Sequence, residues 1–142
     1  MNNHLKILVI GAHPDDCDLS AGGSAALWRQ LGHSVTFVSM TDGRSGHHEI
    51  PGDRLAKIRR KEANAAGATL GIPYLVLEHP DGGLEDQPLF RSQIVREIRR
   101  HKPDTIFCID PYRSSFLLNS VDAIQLGRPV RFTLLTRVNK GP

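Results

Sequence analysis

Residues 9–18 of the sequence, VIGAHPDDCD, place one histidine and three carboxylates directly after a run of aliphatic residues. Imidazole and carboxylate groups bind divalent cations, and a catalytic zinc ion commonly has three protein ligands and one position left for water. The ion lowers the pKa of that water towards ~7 and polarises a carbonyl group. A further carboxylate within hydrogen-bonding distance of the water can act as a general base. The segment therefore holds the groups needed for metal-assisted hydrolysis.

The same residues also fit a purely structural interpretation. Asp15 and Asp16 would be favourable at the positive end of a following helix, and His13 would then be a surface histidine with satisfied hydrogen bonds. Cys17 lies inside the cluster and is a less favoured ligand. Spacing alone leaves metal binding and helix stabilisation open.

The hydrophobic pattern predicts the elements that position this cluster. The aliphatic run at 5–10, LKILVI, predicts a strand covered on both faces, and residues 11–16 form the turn after it. A helix capped by Asp18 or Ser20 is predicted to follow, with Gly22 and Gly23 allowing it to pack closely on the sheet. On one side of this helix we expect Ser24, Leu27, Trp28 and Leu31.

Strands and helices are predicted to alternate along the rest of the chain. Further strands are expected at 35–40, 73–79 and 105–109, and helices at 53–70 and around Phe90, Ile94 and Ile98. This alternation predicts an α/β fold, a Rossmann-like three-layer sandwich with a mostly parallel sheet. Ligands bind at the carboxyl ends of such strands, and three polar loops fall there, at 11–18, 41–53 and 79–88.

The motif AHPDDCDLSAGG resembles the signature of the LmbE/PIG-L family, zinc-dependent hydrolases that remove acetyl groups from N-acetylglucosamine-type substrates. The similarity continues in order over roughly residues 5–111, through GHSVTFVSMTDGRSGHH, RRKEANAAGATLGI, LEHPDGGL and KPDTIFCIDP. The resemblance implies a single deacetylase domain over 1–142, a Zn²⁺ cofactor for which another divalent metal could substitute, and a small amide or amino-sugar substrate.

The resemblance also implies roles for individual residues. His13 and Asp16 match the metal ligands of the family, and Asp15 matches its general base. Arg59 and Asp81 match positions that contact the substrate in relatives. A surface ion pair with a neighbouring glutamate is the alternative for Arg59, and a turn residue in PDGG is the alternative for Asp81.

The sequence departs from the family pattern after residue 111. The family carries there a His-Pro-Asp-His motif that supplies a third metal ligand and an oxyanion donor, whereas no histidine follows His101 in this sequence. We therefore interpret 112–142 as a tail that is truncated, shifted in reading frame or diverged, with a weak helix near 119–126 and a strand near 130–135. The replacement ligand would be His47, His48, His79, a carboxylate or a group from a neighbouring chain.

Two other functions are kept as alternatives. One is a catalytically impaired family member that binds only a metal or a sugar. The other is a nucleotide-binding Rossmann-like module, which the sequence disfavours because the turn after the first strand has no GxGxxG and carries acids that would repel phosphate.

Composition excludes several classes of protein. Hydrophobic residues make up 39% and charged residues 23% of the chain, which is ordinary for a globular domain. No apolar run approaches the ~20 residues of a membrane span, and no secretory signal pattern is present, so a cytoplasmic location is expected. The net charge of +3, without interleaved aromatic residues, argues against nucleic-acid binding. The two separated cysteines argue against a disulfide framework. An exposed sheet edge would allow assembly into a homo-oligomer.

Overall fold

The computed structural model describes residues 4–83, 88–109 and 131–135, with residues 109 and 131–135 described by their backbone. Strands and helices alternate from residue 6 to residue 109. The elements are β1 (Lys6–Gly11), α1 (Asp16–Gln30), β2 (Ser34–Thr41), α2 (Gly52–Leu70), β3 (Tyr74–His79), α3 (Pro88–His101), β4 (Thr105–Ile109) and β5 (Arg131–Leu135).

The described strands form one sheet in the order β3-β2-β1-β4-β5, and every pairing between them is parallel. This confirms the predicted α/β fold with its parallel sheet. The chain first builds the sheet outward from β1 through β2 to β3 and then returns to place β4 on the other side of β1. The strand order therefore reverses at β1, and the crevice at such a reversal is the usual ligand site of an open α/β sheet.

Both faces of the sheet are covered because β1 is apolar at every position from Ile7 to Ile10 and its side chains alternate between the faces. On one face, α1 and α2 cover a core that includes Ile7, Val9, Phe37 and Tyr74. On the other face, Ile94 and Ile98 of α3 pack with Leu8, Ile10, Met40 and Ile106. The three-layer arrangement follows from this two-sided burial.

Two details predicted for α1 are wrong. The helix begins at Asp16, before either proposed cap, because the Asp16 carboxylate closes the preceding turn through backbone amides. Its buried residues are Cys17, Ala21 and Ala25. Of the predicted face, Trp28 does pack against the core, whereas Leu27 and Leu31 are 53% and 63% exposed. Small side chains face the sheet because they allow the helix axis to approach it closely.

The proposed role of the α1 glycines in close packing is also wrong. A Cβ atom added at Gly22 would lie 3.9 Å from its nearest neighbour, the Cβ atom of Asp18, and one added at Gly23 would have no neighbour within 4 Å. Close approach occurs instead at Gly67 in α2, where an added Cβ atom would lie 2.8 Å from the carbonyl oxygen of Ile72.

Several further predictions can be compared with the described residues. A strand predicted near 130–135 is present as β5, whereas the helix predicted near 119–126 lies outside the described residues. Cys17 and Cys108 are both buried, and no disulfide joins them. Among the helices that the structure describes, none is long and apolar enough to cross a membrane.

Candidate functional site

The turn between β1 and α1 is held by the side chain of Asp16. Its Oδ2 accepts hydrogen bonds from the backbone amides of Ala12 and His13, each at 2.8 Å. The carbonyl oxygen of Ala12 in turn accepts hydrogen bonds at 2.8 Å from both the amide and the hydroxyl group of Thr41, at the end of β2. The turn is therefore attached to the neighbouring strand, which fixes the direction in which His13 leaves β1.

His13 lies between two carboxylates. Its Nδ1 is 3.4 Å from Oδ2 of Asp16, and its Nε2 is 3.0 Å from Oδ1 of Asp81. The hydrogen bond to Asp16, together with the charges of Asp16 and Asp81, outweighs partial burial and raises the pKa of His13 to about 9. In the metal-free protein at neutral pH, the imidazole is thus a cation held on both sides.

Asp81 reaches His13 because the loop after β3 is attached to the loop after β2. The Asp81 amide donates to Oδ1 of Asp42 at 3.3 Å, and the Asp81 carbonyl oxygen accepts from Oγ of Ser45 at 2.7 Å. Asp42 is buried and paired with Arg44, whose Nη2 lies 2.7 Å from Oδ2. Burial alone would raise the pKa of Asp42, but the bonds from Arg44 and from the Asp81 amide outweigh burial and lower it.

Asp42 is a residue that sequence reasoning missed. In the sequence, Asp42 is one of many polar residues in the loop at 41–53. The feature that could have singled it out is its position directly after the last residue of β2. Because parallel strands end at the same edge, an acid in that position can connect neighbouring loops.

Asp15 is the N-cap residue of α1, but its side chain makes no capping hydrogen bond. Its Oδ2 instead lies 2.6 Å from Nη2 of Arg59 in α2. The Nη1 of Arg59 also contacts Oε2 of Glu62 at 3.0 Å, so the ion pair considered as an alternative for Arg59 is present alongside the contact with Asp15. The two adjacent acids thus differ in use: the Asp16 carboxylate closes the turn, and the Asp15 carboxylate faces α2.

These groups line an open pocket of ≈ 630 Å³ at the carboxyl end of the sheet. All five residues predicted for the site line it, namely His13, Asp15, Asp16, Arg59 and Asp81. Ile50, Leu55 and Ile58 supply an apolar side to the same pocket. The structure therefore brings the predicted residues together, and their individual roles stay predictions.

The other candidate ligands differ in where they lie. His47 lines the pocket and stacks on His48, with ring centroids 5.2 Å apart. His79 is buried, contacts Gln93 and packs edge-on against Phe90. The Cys17 thiol donates to backbone carbonyl oxygens in the core, and burial raises its pKa to about 12, so it is a poor source of thiolate.

The spacing of His13 and Asp16 fits two ligands of one zinc ion. Donor atoms ~2.0–2.1 Å from a tetrahedral ion are ~3.3–3.4 Å apart, and the observed separation of Nδ1 and Oδ2 is 3.4 Å. Asp81 lies on the other ring nitrogen and does not converge with this pair. Among the residues that the structure describes, no group of three or more His, Cys, Asp or Glu side chains is arranged to hold a metal ion.

The fold and the pocket define an α/β protein with an acid–histidine site at the reversal of its strand order. A family model described as PIG-L, GlcNAc-PI de-N-acetylase, matches residues 8–123. The chain therefore belongs to the PIG-L family, as its motif AHPDD predicted.

Known members of the family are similar over the same region. The chain is 32% identical over 114 residues to a diacetylchitobiose deacetylase of Thermococcus kodakarensis, an alignment that covers 78% of this chain and 43% of that protein. It is 36% identical over 76 residues to a 1D-myo-inositol 2-acetamido-2-deoxy-alpha-D-glucopyranoside deacetylase of Nocardioides, covering 47% of this chain and 25% of that protein.

A solved structure shows the same similarity in three dimensions. The N,N'-diacetylchitobiose deacetylase of Pyrococcus horikoshii superimposes with a TM-score of 0.73 at 34% identity, covering 79% of this chain and 44% of that one. The matched part of the chain thus covers less than half the length of each of these deacetylases, and the whole chain spans about half of it.

Proposed function

We propose that the protein is a metal-dependent N-deacetylase that removes an acetyl group from an N-acetylglucosamine-type amide. The observation that carries this proposal is the arrangement of one pocket in a PIG-L chain. There, His13 and Asp16 are spaced as two metal ligands, and the adjacent Asp15 carboxylate is left unused by the helix cap. The deacetylase activities named for similar proteins support the choice of substrate class.

In this proposal Nδ1 of His13 and the Asp16 carboxylate would hold a Zn²⁺ ion. Zinc in such a position supplies a Lewis acid for the amide carbonyl and lowers the pKa of a water molecule. The backbone amides of Ala12 and His13 keep the Asp16 carboxylate in place, so little reorganisation is needed when the ligands close on a cation. Nδ1 of His13 would have to be unprotonated to hold the ion.

Asp15 is the proposed general base. Its carboxylate takes a proton from water and can return it to the leaving amine. Arg59 holds this carboxylate at 2.6 Å, which limits its rotation, and Glu62 holds Arg59 from the other side. The pocket also exposes Arg59 and Glu62 to hydroxyl groups of a sugar ring, while Ile50 and Ile58 provide an apolar surface for its carbon face.

A second candidate function is a family member that binds a metal or a sugar without turnover. The observation that favours it is that the described residues supply two convergent ligands for the ion rather than three. A protein with two ligands would hold zinc weakly and would lack part of the electrostatic stabilisation of the tetrahedral intermediate. Losing one oxyanion donor typically costs ~10²–10³ in rate.

Zinc content and acetate release together test these proposals. We expect purified protein to bind zinc and to release acetate from N-acetylglucosamine or N,N'-diacetylchitobiose. Asp15→Asn should lower the rate by about 10²–10⁴-fold, because the base is lost, and leave the zinc content unchanged. Glu78→Gln, an exposed acid on β3, serves as the matched control and should behave as wild type.

The outcomes separate the candidates. Undiminished acetate release by Asp15→Asn would exclude this carboxylate as the base. If the protein bound zinc but released no acetate from any N-acetylated sugar, the second candidate, a family member that binds without turnover, would be favoured. Absence of both zinc and acetate release would exclude the deacetylase.

A cytoplasmic location and assembly into a homo-oligomer stay predictions. Cell fractionation would test the location, and light scattering would test the oligomeric state.

A further inference from the structure

The geometry points to Asp81 as a positioning residue that fixes the ring of His13 so that Nδ1, rather than Nε2, faces the metal. This inference rests on the proposed metal site and departs from the substrate contact that family resemblance implies for Asp81. It makes Asp81 part of the metal-binding machinery, although Asp81 itself is not a ligand.

The first argument is the placement of the two carboxylates on opposite ring nitrogens. Asp81 Oδ1 lies 3.0 Å from Nε2, whereas Asp16 Oδ2 lies 3.4 Å from Nδ1. A neutral imidazole has one N–H donor and one lone pair. When the Nε2 proton is donated to Asp81, the lone pair is on Nδ1, beside Asp16. Histidine ligands commonly donate their second nitrogen to a carboxylate in this way.

The second argument is the restraint on Asp81 itself. Its backbone is held on one side by Asp42 Oδ1 and on the other by Ser45 Oγ. Its side chain is 15% exposed, compared with 55% for Glu62 in the same pocket. A carboxylate that is largely covered and already occupied by an imidazole offers little surface to a sugar hydroxyl, so Glu62 is the better candidate for that contact.

The third argument is the rigidity of the group that supports Asp81. Asp42 is 3% exposed, and Arg44 binds its carboxylate through Nε at 2.8 Å and through its backbone amide at 3.1 Å. The restraint therefore runs from the loop after β2, through the loop after β3, to the turn after β1. Conformational freedom of the His13 ring is limited before any ion binds, which favours binding.

Nitrogen NMR of the His13 ring and the zinc dissociation constant test this role. In zinc-loaded wild type, Nε2 should carry the proton and Nδ1 should show the metal-bound shift. Asp81→Ala should weaken zinc binding by about 10–100-fold. Asp81→Asn should retain most of the affinity, because its amide oxygen can also accept from Nε2–H. Glu78→Gln should match wild type.

Two results would overturn the inference. One is zinc bound through Nε2 of His13. The other is a set of Asp81 variants that bind zinc as wild type does and only raise KM, as a substrate contact would. Thermal melts of both variants show whether each one folds, and Asp81→Asn, which is nearly isosteric, keeps the test valid if Asp81→Ala does not.

A measurement on metal-free protein separates this inference from the proposed function. The Nε2–H signal of His13 should be protected from solvent exchange in wild type and Asp81→Asn, and lost in Asp81→Ala. If the wild-type protein did not bind zinc, the deacetylase proposal would fail. The Nε2–H signal of His13 could still be measured in the metal-free protein. An unprotected signal in wild type would defeat the positioning role even in an active enzyme.

Discussion

His13 at the carboxyl end of the sheet and His4 and His33 at its amino end have chemically different partners. At the carboxyl end, His13 contacts charged carboxylates from two separate loops. At the amino end, His4 contacts the carbonyl oxygen of Gly32 and the hydroxyl group of Ser34, while Nδ1 of His33 accepts from the amide of Leu5 at 3.3 Å. His4 and His33 therefore have neutral partners near the start of β1 and β2.

The difference teaches that charged side chains from separate loops meet at the carboxyl end, where the pocket lies. The carboxyl end gathers acids and arginines that form ion pairs at short range. The amino end makes ordinary hydrogen bonds, such as the one from the Lys6 amide to Oδ2 of Asp104 at 2.8 Å, which attach β1 to the segment before β4. Substitutions at the two ends should therefore have distinguishable effects.

The largest expected effect of the structural substitutions is that of Gly11→Ala at the carboxyl end. A Cβ atom at Gly11 would lie 2.6 Å from Cβ of Asp16 and 3.2 Å from Sγ of Cys17, so the turn must shift. We expect a loss of about 1–3 kcal/mol in the free energy of unfolding, together with weaker zinc binding. Urea denaturation and metal competition measure the two effects.

Gly23→Ala is the matched control for this substitution. An added Cβ atom there has no neighbour within 4 Å, and replacing a glycine inside a helix should stabilise the protein by about 0.5–1 kcal/mol. Wild-type stability and zinc affinity in both alanine variants would show that the turn at Gly11 is not closely packed against α1.

A smaller effect is expected for Asp42→Asn, which tests the support behind the pocket. The folded-state pKa of Asp42 is lowered, so its charge stabilises the protein above the unfolded pKa of ~3.9, and this contribution is lost as pH falls through the folded value. We expect a loss of about 1 kcal/mol at pH 7.

The pH dependence distinguishes this role of Asp42 from a change in packing. The stability difference between wild type and Asp42→Asn should shrink below pH ~4, where the wild-type carboxyl also becomes neutral. A difference that is the same at pH 3 and pH 7 in urea titrations would show that charge at this position contributes nothing.

The smallest effect is expected for His4→Ala at the amino end. His4 is exposed, and losing its two neutral hydrogen bonds should cost less than about 1 kcal/mol. Zinc affinity and acetate release should be unchanged, as calorimetry and an acetate assay would show. A clear change in either would mean that the two ends of the sheet are coupled.

The fold was predictable because its signals are local. The aliphatic run of β1 and the sequence TIFCI of β4 each mark a strand without reference to the rest of the chain. The face of α1 was not predictable in this way. Leu27 and Leu31 have the more hydrophobic side chains, yet Ala21 and Ala25 face the sheet, because the distance between helix and sheet decides which side chains fit.

The sequence by itself determined which chemical groups stand at the strand ends, including the imidazole and the two acids that follow β1. Only the tertiary structure decided how these groups are used. Asp15 meets Arg59, and His13 meets a carboxylate 68 residues away, because the strand order places three loops side by side. Distances between such remote groups depend on the assembled sheet, and no local pattern contains them.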